Sequence, residues 1–189
     1  MRLFAAVLPP EGVMAEVATA VRRLRRLPRA EELRWIQPGT WHFTLAFYGE
    51  VEDGLLPELR ERLGRAARRH RPYEMRLCGA GRFTHRALWI GAEGDRRAMA
   101  RLADTASAAG RRAGLPMGGH RAYTPHLTIA RSRDRTRTDL RPFVDALAGF
   151  SGAPWLAGEL TLVRSLLPVS GVEGEQPQYE TLQSWPLNA

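Results

Sequence analysis

Apolar residues run unbroken from Leu3 to Leu8 until Pro9-Pro10 ends them, so Arg2–Leu8 is predicted to be a buried strand. Val13, Val17, Val21 and Leu24 then recur at helical spacing, and Pro28 closes that helix. The pattern next predicts a short strand over Leu33–Ile36 and a longer one over Trp41–Tyr48, ended by Gly49. Asp53 is placed to cap a helix carrying Leu56, Leu59 and Leu63 on one face. Tyr73–Leu77 and Ala87–Ile90 read as a strand pair joined through a turn at Gly79-Ala80-Gly81.

Asp95 opens a third helix with Ala98, Leu102, Ala106 and Ala109 inward, and Gly114 follows its end. Thr124–Arg131 reads as a strand and Asp139–Leu147 as a helix; Trp155–Leu166 and Tyr179–Trp185 are strands again. Strands and helices mix without strict alternation, which points to an α+β fold. No low-complexity stretch or long linker divides the 189 residues, which fit one domain or two small lobes sharing a core.

Composition narrows the setting. The longest apolar runs are too short to cross a bilayer, and no secretion signal opens the sequence. The single cysteine, Cys78, excludes an internal disulfide and a cysteine-rich zinc site, and its strand-like context suits a small buried hydrophobe. A cytoplasmic protein is expected, with no membrane partner. The net charge of +8 comes from 28 arginines and no lysine. Part of that bias looks genomic, and Arg22-Arg23-Leu24-Arg25-Arg26 and Arg65–Arg71 read first as solvated helix faces. Charge alone therefore supports a polyanionic partner only weakly.

The chemistry lies in a small echo. His42-Phe43-Thr44-Leu45 and His126-Leu127-Thr128-Ile129 share the pattern His-x-Thr-aliphatic, 84 positions apart. Strand period two puts each histidine beside its threonine on one face and the apolar pair on the other. One copy would be an ordinary half-exposed strand. Two copies in equivalent contexts suggest two imidazoles facing each other across a groove. Such a pair suits in-line displacement at phosphorus, one neutral imidazole taking a proton while a protonated one gives a proton. Thr44 and Thr128 can donate to the non-bridging oxygens as charge builds there.

These segments resemble the 2H phosphoesterases, in the branch of the RNA 2′,3′-cyclic phosphodiesterases or 2′-5′ RNA ligases. The resemblance covers nearly the whole chain. It begins with Arg2-Leu3-Phe4-Ala5-Ala6-Val7 and His42–Gly49, and continues with Gly81-Arg82-Phe83 before Leu88-Trp89-Ile90. Pro125–Arg131 and the end of the chain, with Tyr179, Leu182 and Trp185-Pro186-Leu187, complete it. It implies a two-lobed, pseudo-twofold structure, each lobe an antiparallel sheet with helices outside, and each motif on a central strand lining a shared cleft.

It also implies His42 as proton donor, His126 as proton acceptor, no metal and no organic cofactor. The substrate would be an RNA or oligonucleotide with a 2′,3′-cyclic phosphate end, opened to a 2′-phosphate. An RNA 5′-hydroxyl in place of water would leave a 2′-5′ bond. The two motifs are chemically alike, so residue chemistry by itself leaves the donor and acceptor roles open. Tyr48 stands where many members carry leucine, at a position not expected to touch the chemistry.

Arg131 is out of phase with His126 and Thr128 and reaches a cleft only if its strand ends or twists there. It could then pair with phosphate or stack on a base. His70, His85 and His120 have no such context, and a zinc site built from His120 and His126 would leave the threonines without a purpose. Two other readings stay open: a phosphodiesterase for a small cyclic nucleotide-derived phosphate, and an RNA-binding module without chemistry. A monomer is expected.

Overall fold

The computed structural model describes residues 1–119, 122–133, 137–168 and 176–188. His120 lies outside the described residues. Nine strands and four α-helices follow one another along these residues. In chain order they are β1 (Arg2–Val7), α1 (Glu11–Leu24), β2 (Leu33–Trp35), β3 (Phe43–Glu50) and α2 (Leu56–Ala67). Then come β4 (Tyr73–Phe83), β5 (Ala87–Gly94), α3 (Arg96–Arg112), β6 (Leu127–Ser132) and α4 (Arg141–Ala146). The described chain ends with β7 (Trp155–Ala157), β8 (Glu159–Leu166) and β9 (Gln178–Pro186).

The strands form two antiparallel sheets, ordered β3-β1-β8-β9 and β2-β6-β5-β4-β7. The α+β class therefore holds, and the two motifs do fall in different sheets. They are not placed alike, however. β6 is an interior strand as expected, whereas β3 lies at the edge of its sheet, because the chain leaves it for α2 and no strand among the described residues pairs on its other side.

The apolar residues of the motifs supply core. Phe43, Leu127 and Ile129 are fully buried and Leu45 nearly so, in one cluster with Leu3, Ala5 and Val7 of β1 and the inner faces of the helices. Phe4, Ala6 and Val163 form a small separate cluster on the opposite face of the four-stranded sheet. Tyr48 is buried, donates its hydroxyl to the Ala106 carbonyl at 3.1 Å, and presses on α3 where Gly110 leaves room for its ring.

Three local expectations need correction. Gly79-Ala80-Gly81 is not a turn: β4 runs through it, with a register shift between Leu77 and Ala80, and the chain reverses at Thr84 instead. The stretch Trp155–Leu166 is two strands, broken at Gly158. Asp53 heads a 3-10 turn with no side-chain cap, and α2 begins at Leu56 with Pro57 in its first turn. Asp95 does cap α3, accepting from the Ala98 amide at 2.8 Å.

Candidate active site

His42 and His126 sit one residue ahead of β3 and β6, where the chain enters each strand. Each ring is fixed by the same local bond. His42 Nδ1 lies 2.7 Å from the Thr40 carbonyl, and His126 Nδ1 lies 2.8 Å from the Thr124 carbonyl. A carbonyl only accepts, so Nδ1 carries the proton in both rings and each Nε2 is left for proton transfer. The equivalence that the sequence echo suggested extends to the bonds that orient the imidazoles.

His42, Thr44, His126, Thr128 and Arg131 all line one cavity of about 310 Å³. Strand alternation delivers the threonines there, and broken alternation delivers the arginine. In the β5–β6 pairing Leu88 faces Ala130 and Trp89 faces Thr128, so Ile129 bulges without a partner in β5. That extra residue flips the phase of the strand and turns Arg131 to the cavity. The β1–β3 pairing does the same, with Ala6 facing Thr44 and Ala5 facing Ala46, so Leu45 bulges. Each motif thus ends on a bulged aliphatic residue, and two positions on the strand faces the cavity again.

On β3 that position is Phe47, the counterpart of Arg131 at the same offset of 84. It is 49% exposed, lines the cavity and carries the Arg2 guanidinium over its ring at 4.8 Å. Sequence reasoning missed Phe47, although carrying the 84-residue offset one step past the motif would have found it.

The rings around the histidines were missed as well. Phe4 stacks on His42 at 4.7 Å between centroids, and Tyr179 meets the same imidazole edge-on at 5.2 Å. Phe83 meets His126 edge-on at 4.8 Å, with Trp89 at 6.2 Å. Trp89 in turn lies across Gly81, where a Cβ would come within 2.3 Å of the indole. The glycine that read as a turn is there to admit a tryptophan.

The two imidazoles differ in setting. Burial under Phe4 and Tyr179 is the main cause that holds His42 below the ordinary histidine pKa. The Thr40 carbonyl opposes that shift, while the charges of His126 and Arg131 add to it. Burial thus favours the neutral form of His42 in the empty site, and with its proton on Nδ1 that ring accepts at Nε2 from the Thr44 hydroxyl at 3.0 Å. Burial also keeps the Tyr179 phenol above its usual range, so it stays un-ionised. His70 lies away from this cavity, bonded to Thr105 between α2 and α3, and His85 is exposed in the β4–β5 turn. Among the described residues no three His, Cys, Asp or Glu side chains gather as a metal site would require.

The chain is similar to several known proteins. A family model described as the 2′-5′ RNA ligase superfamily matches residues 13–167. The RNA 2′,3′-cyclic phosphodiesterase of Thermus thermophilus is 30% identical over 99% of this chain and 90% of its own. That of Methanothermobacter thermautotrophicus is 28% identical over 90% and 93%. Among solved structures, the Thermus thermophilus protein TT0787 superposes with a TM-score of 0.75 at 28% identity, covering 99% of this chain and 98% of its own. LigT of E. coli in its apo form gives 0.74 at 25% identity, covering 100% and 98%.

Proposed function

Because the chain belongs to the 2′-5′ RNA ligase superfamily, we propose that it hydrolyses RNA 2′,3′-cyclic phosphate ends to 2′-phosphates, with His42 and His126 as its acid–base pair and no metal. The observation that carries this reading is the matched anchoring of the two imidazoles, each holding Nδ1 on a backbone carbonyl beside one shared cavity. The chain works as one domain and as a monomer in the cytoplasm, a reducing compartment that its lone cysteine suits. Among the described residues no helix is long and apolar enough to cross a membrane.

In the reaction His126 Nε2 takes a proton from water as the water oxygen attacks phosphorus. The bond from phosphorus to O3′ breaks in line, and protonated His42 gives its Nε2 proton to O3′. Thr44 and Thr128 donate to the non-bridging oxygens, and the Arg131 charge offsets the negative charge gathering there. A ribose 5′-hydroxyl on the path of water would give a 2′-5′ linkage. The deciding experiment is hydrolysis of cytidine 2′,3′-cyclic phosphate with EDTA present, with the products separated by phosphorus NMR. Mainly cytidine 2′-phosphate is expected. Mainly the 3′-isomer would mean that the sugar docks the other way round and would leave the donor and acceptor roles without support, and a rate lost to EDTA and restored by zinc would move the chemistry to a metal.

His42 must be protonated to act, yet burial and its cationic neighbours lower its pKa in the empty site. A bound phosphodiester brings negative charge to the imidazole and raises that pKa again. The profile of kcat/KM reports the free enzyme and that of kcat the complex, each through values that belong to the coupled pair. The high-pH limb of kcat is therefore expected at a higher pH than the high-pH limb of kcat/KM. Coincident limbs, or the opposite order, would remove His42 as the donor.

A further inference from the structure

Beside the catalytic cavity lies a larger hollow of about 500 Å³, between the C-terminal half of α1 and β2. Arg22 on α1 and Arg25 just past its end border it on one side, and Arg34 and Trp35 on β2 border it on the other. Arg34 and Gln176 line both hollows, which puts this groove directly beside the phosphate site. Its size falls within the roughly 300–1,000 Å³ of small-ligand sites.

Among the described residues no ion pair includes Arg22, Arg25 or Arg34, whereas Arg62 and Arg65 on α2 are each matched by a glutamate one turn back. Trp35 is held in place. Its Nε1 donates to the Ala30 carbonyl at 3.0 Å, and its ring meets Phe143 edge-on at 6.2 Å. The Gln176 amide closes the corner, donating to the Trp35 carbonyl at 2.6 Å. Arginines without acidic partners beside a fixed, half-buried indole are what a flexible single strand needs, cations for its phosphates and a ring for a base.

We propose that this groove holds the nucleotides just upstream of the cyclic phosphate, so that single-stranded RNA is gripped by Arg22, Arg25 and Trp35. The proposal rests on the cyclic phosphate reading above, because a strand ending in that group can leave the catalytic cavity only through the 5′ oxygen of its last sugar. A mononucleotide would reach the cavity but not the groove.

The test uses the full chain and exposed residues, so folding is not at stake. Arg22→Glu with Arg25→Glu is compared with Arg68→Glu with Arg69→Glu, which changes the same charge at the exposed end of α2. Binding of a labelled hexanucleotide ending in a 2′-phosphate is read by fluorescence anisotropy across salt. The groove variant is expected to bind at least about tenfold more weakly. Its log–log salt slope should be shallower by about 1.4, the value for two lost single-strand phosphate contacts. The α2 variant should match wild type. For turnover, the ratio of kcat/KM on the cyclic hexanucleotide to that on cytidine 2′,3′-cyclic phosphate should fall by a similar factor in the groove variant. Unchanged binding, or equal weakening by both variants, would overturn the groove. A wild-type protein that leaves cytidine 2′,3′-cyclic phosphate intact would overturn the functional reading instead, while anisotropy still decides the groove.

Discussion

Replacing either His42 or His126 with alanine is expected to lower kcat by at least about 10²-fold, the lower end of what positioned acid–base catalysis contributes. The two losses should be similar if, as proposed above, each ring supplies one of two coupled proton transfers. The effects on stability should differ. His126 stands at the rim against Phe83, whereas His42 fills the space between Phe4 and Tyr179. His42→Ala therefore removes packing as well as a proton. His42→Asn separates the two effects, because its side-chain amide can still donate to the Thr40 carbonyl but has no nitrogen that titrates. Thermal melts should show His42→Asn closer to wild type than His42→Ala, while single-turnover rates place both far below it. Turnover near wild type in any of these variants would end the two-histidine mechanism.

Gly81→Ala should damage both the fold and the reaction. The added Cβ would lie 2.3 Å from two ring atoms of Trp89, and a packed indole cannot swing away as a flexible chain end can. Overpacking of this kind costs about 1–3 kcal/mol, or roughly 2–4 °C in Tm per kcal/mol for a chain of this size. The displaced indole borders His126, so kcat/KM should fall along with stability. Gly79→Ala is the control. Its φ of +62° makes a side chain mildly strained, but nothing lies within 4 Å of the new Cβ. A modest loss of stability of roughly 1–2 kcal/mol with unchanged turnover is expected there. If both variants lose activity equally, the Trp89 contact is not what matters.

The contrast between those glycines shows what pattern reading could reach. Alternation within His42–Leu45 and His126–Ile129 was enough to give the buried pair and the polar pair, because burial on one face dictates period two. The helices read well for the same reason, and Asp95 announced the start of α3 through its side-chain chemistry. Gly79 and Gly81 misled because glycine marks a turn far more often than a bulge or a close approach, and the approaching Trp89 sits eight residues further on. Arg131 was undecidable from alternation alone, since the bulge at Ile129 is a property of two strands paired together. The same holds for Phe4 and Tyr179, which meet His42 only because β1 and β9 belong to the sheet whose edge is β3. Long-range pairing carries no local signature, so the walls of the candidate site were less legible than its two motifs.

That pairing also governs when the site can exist. In the four-stranded sheet β1 takes β3 as one neighbour and β8 as the other, and β8 then takes β9. Leu3 therefore waits for Arg164, and Phe4 for Val163, across most of the chain. Contacts so distant in sequence form slowly, because a long loop must close before any bond rewards it. On the ribosome, a nascent chain carries His42 long before Tyr179 has been made to cover it. Both histidines are translated by residue 126, but the wall that buries one of them arrives with β9. An emerging chain thus holds both imidazoles without the enclosure that buries one of them, and completes that cavity among the last steps of folding.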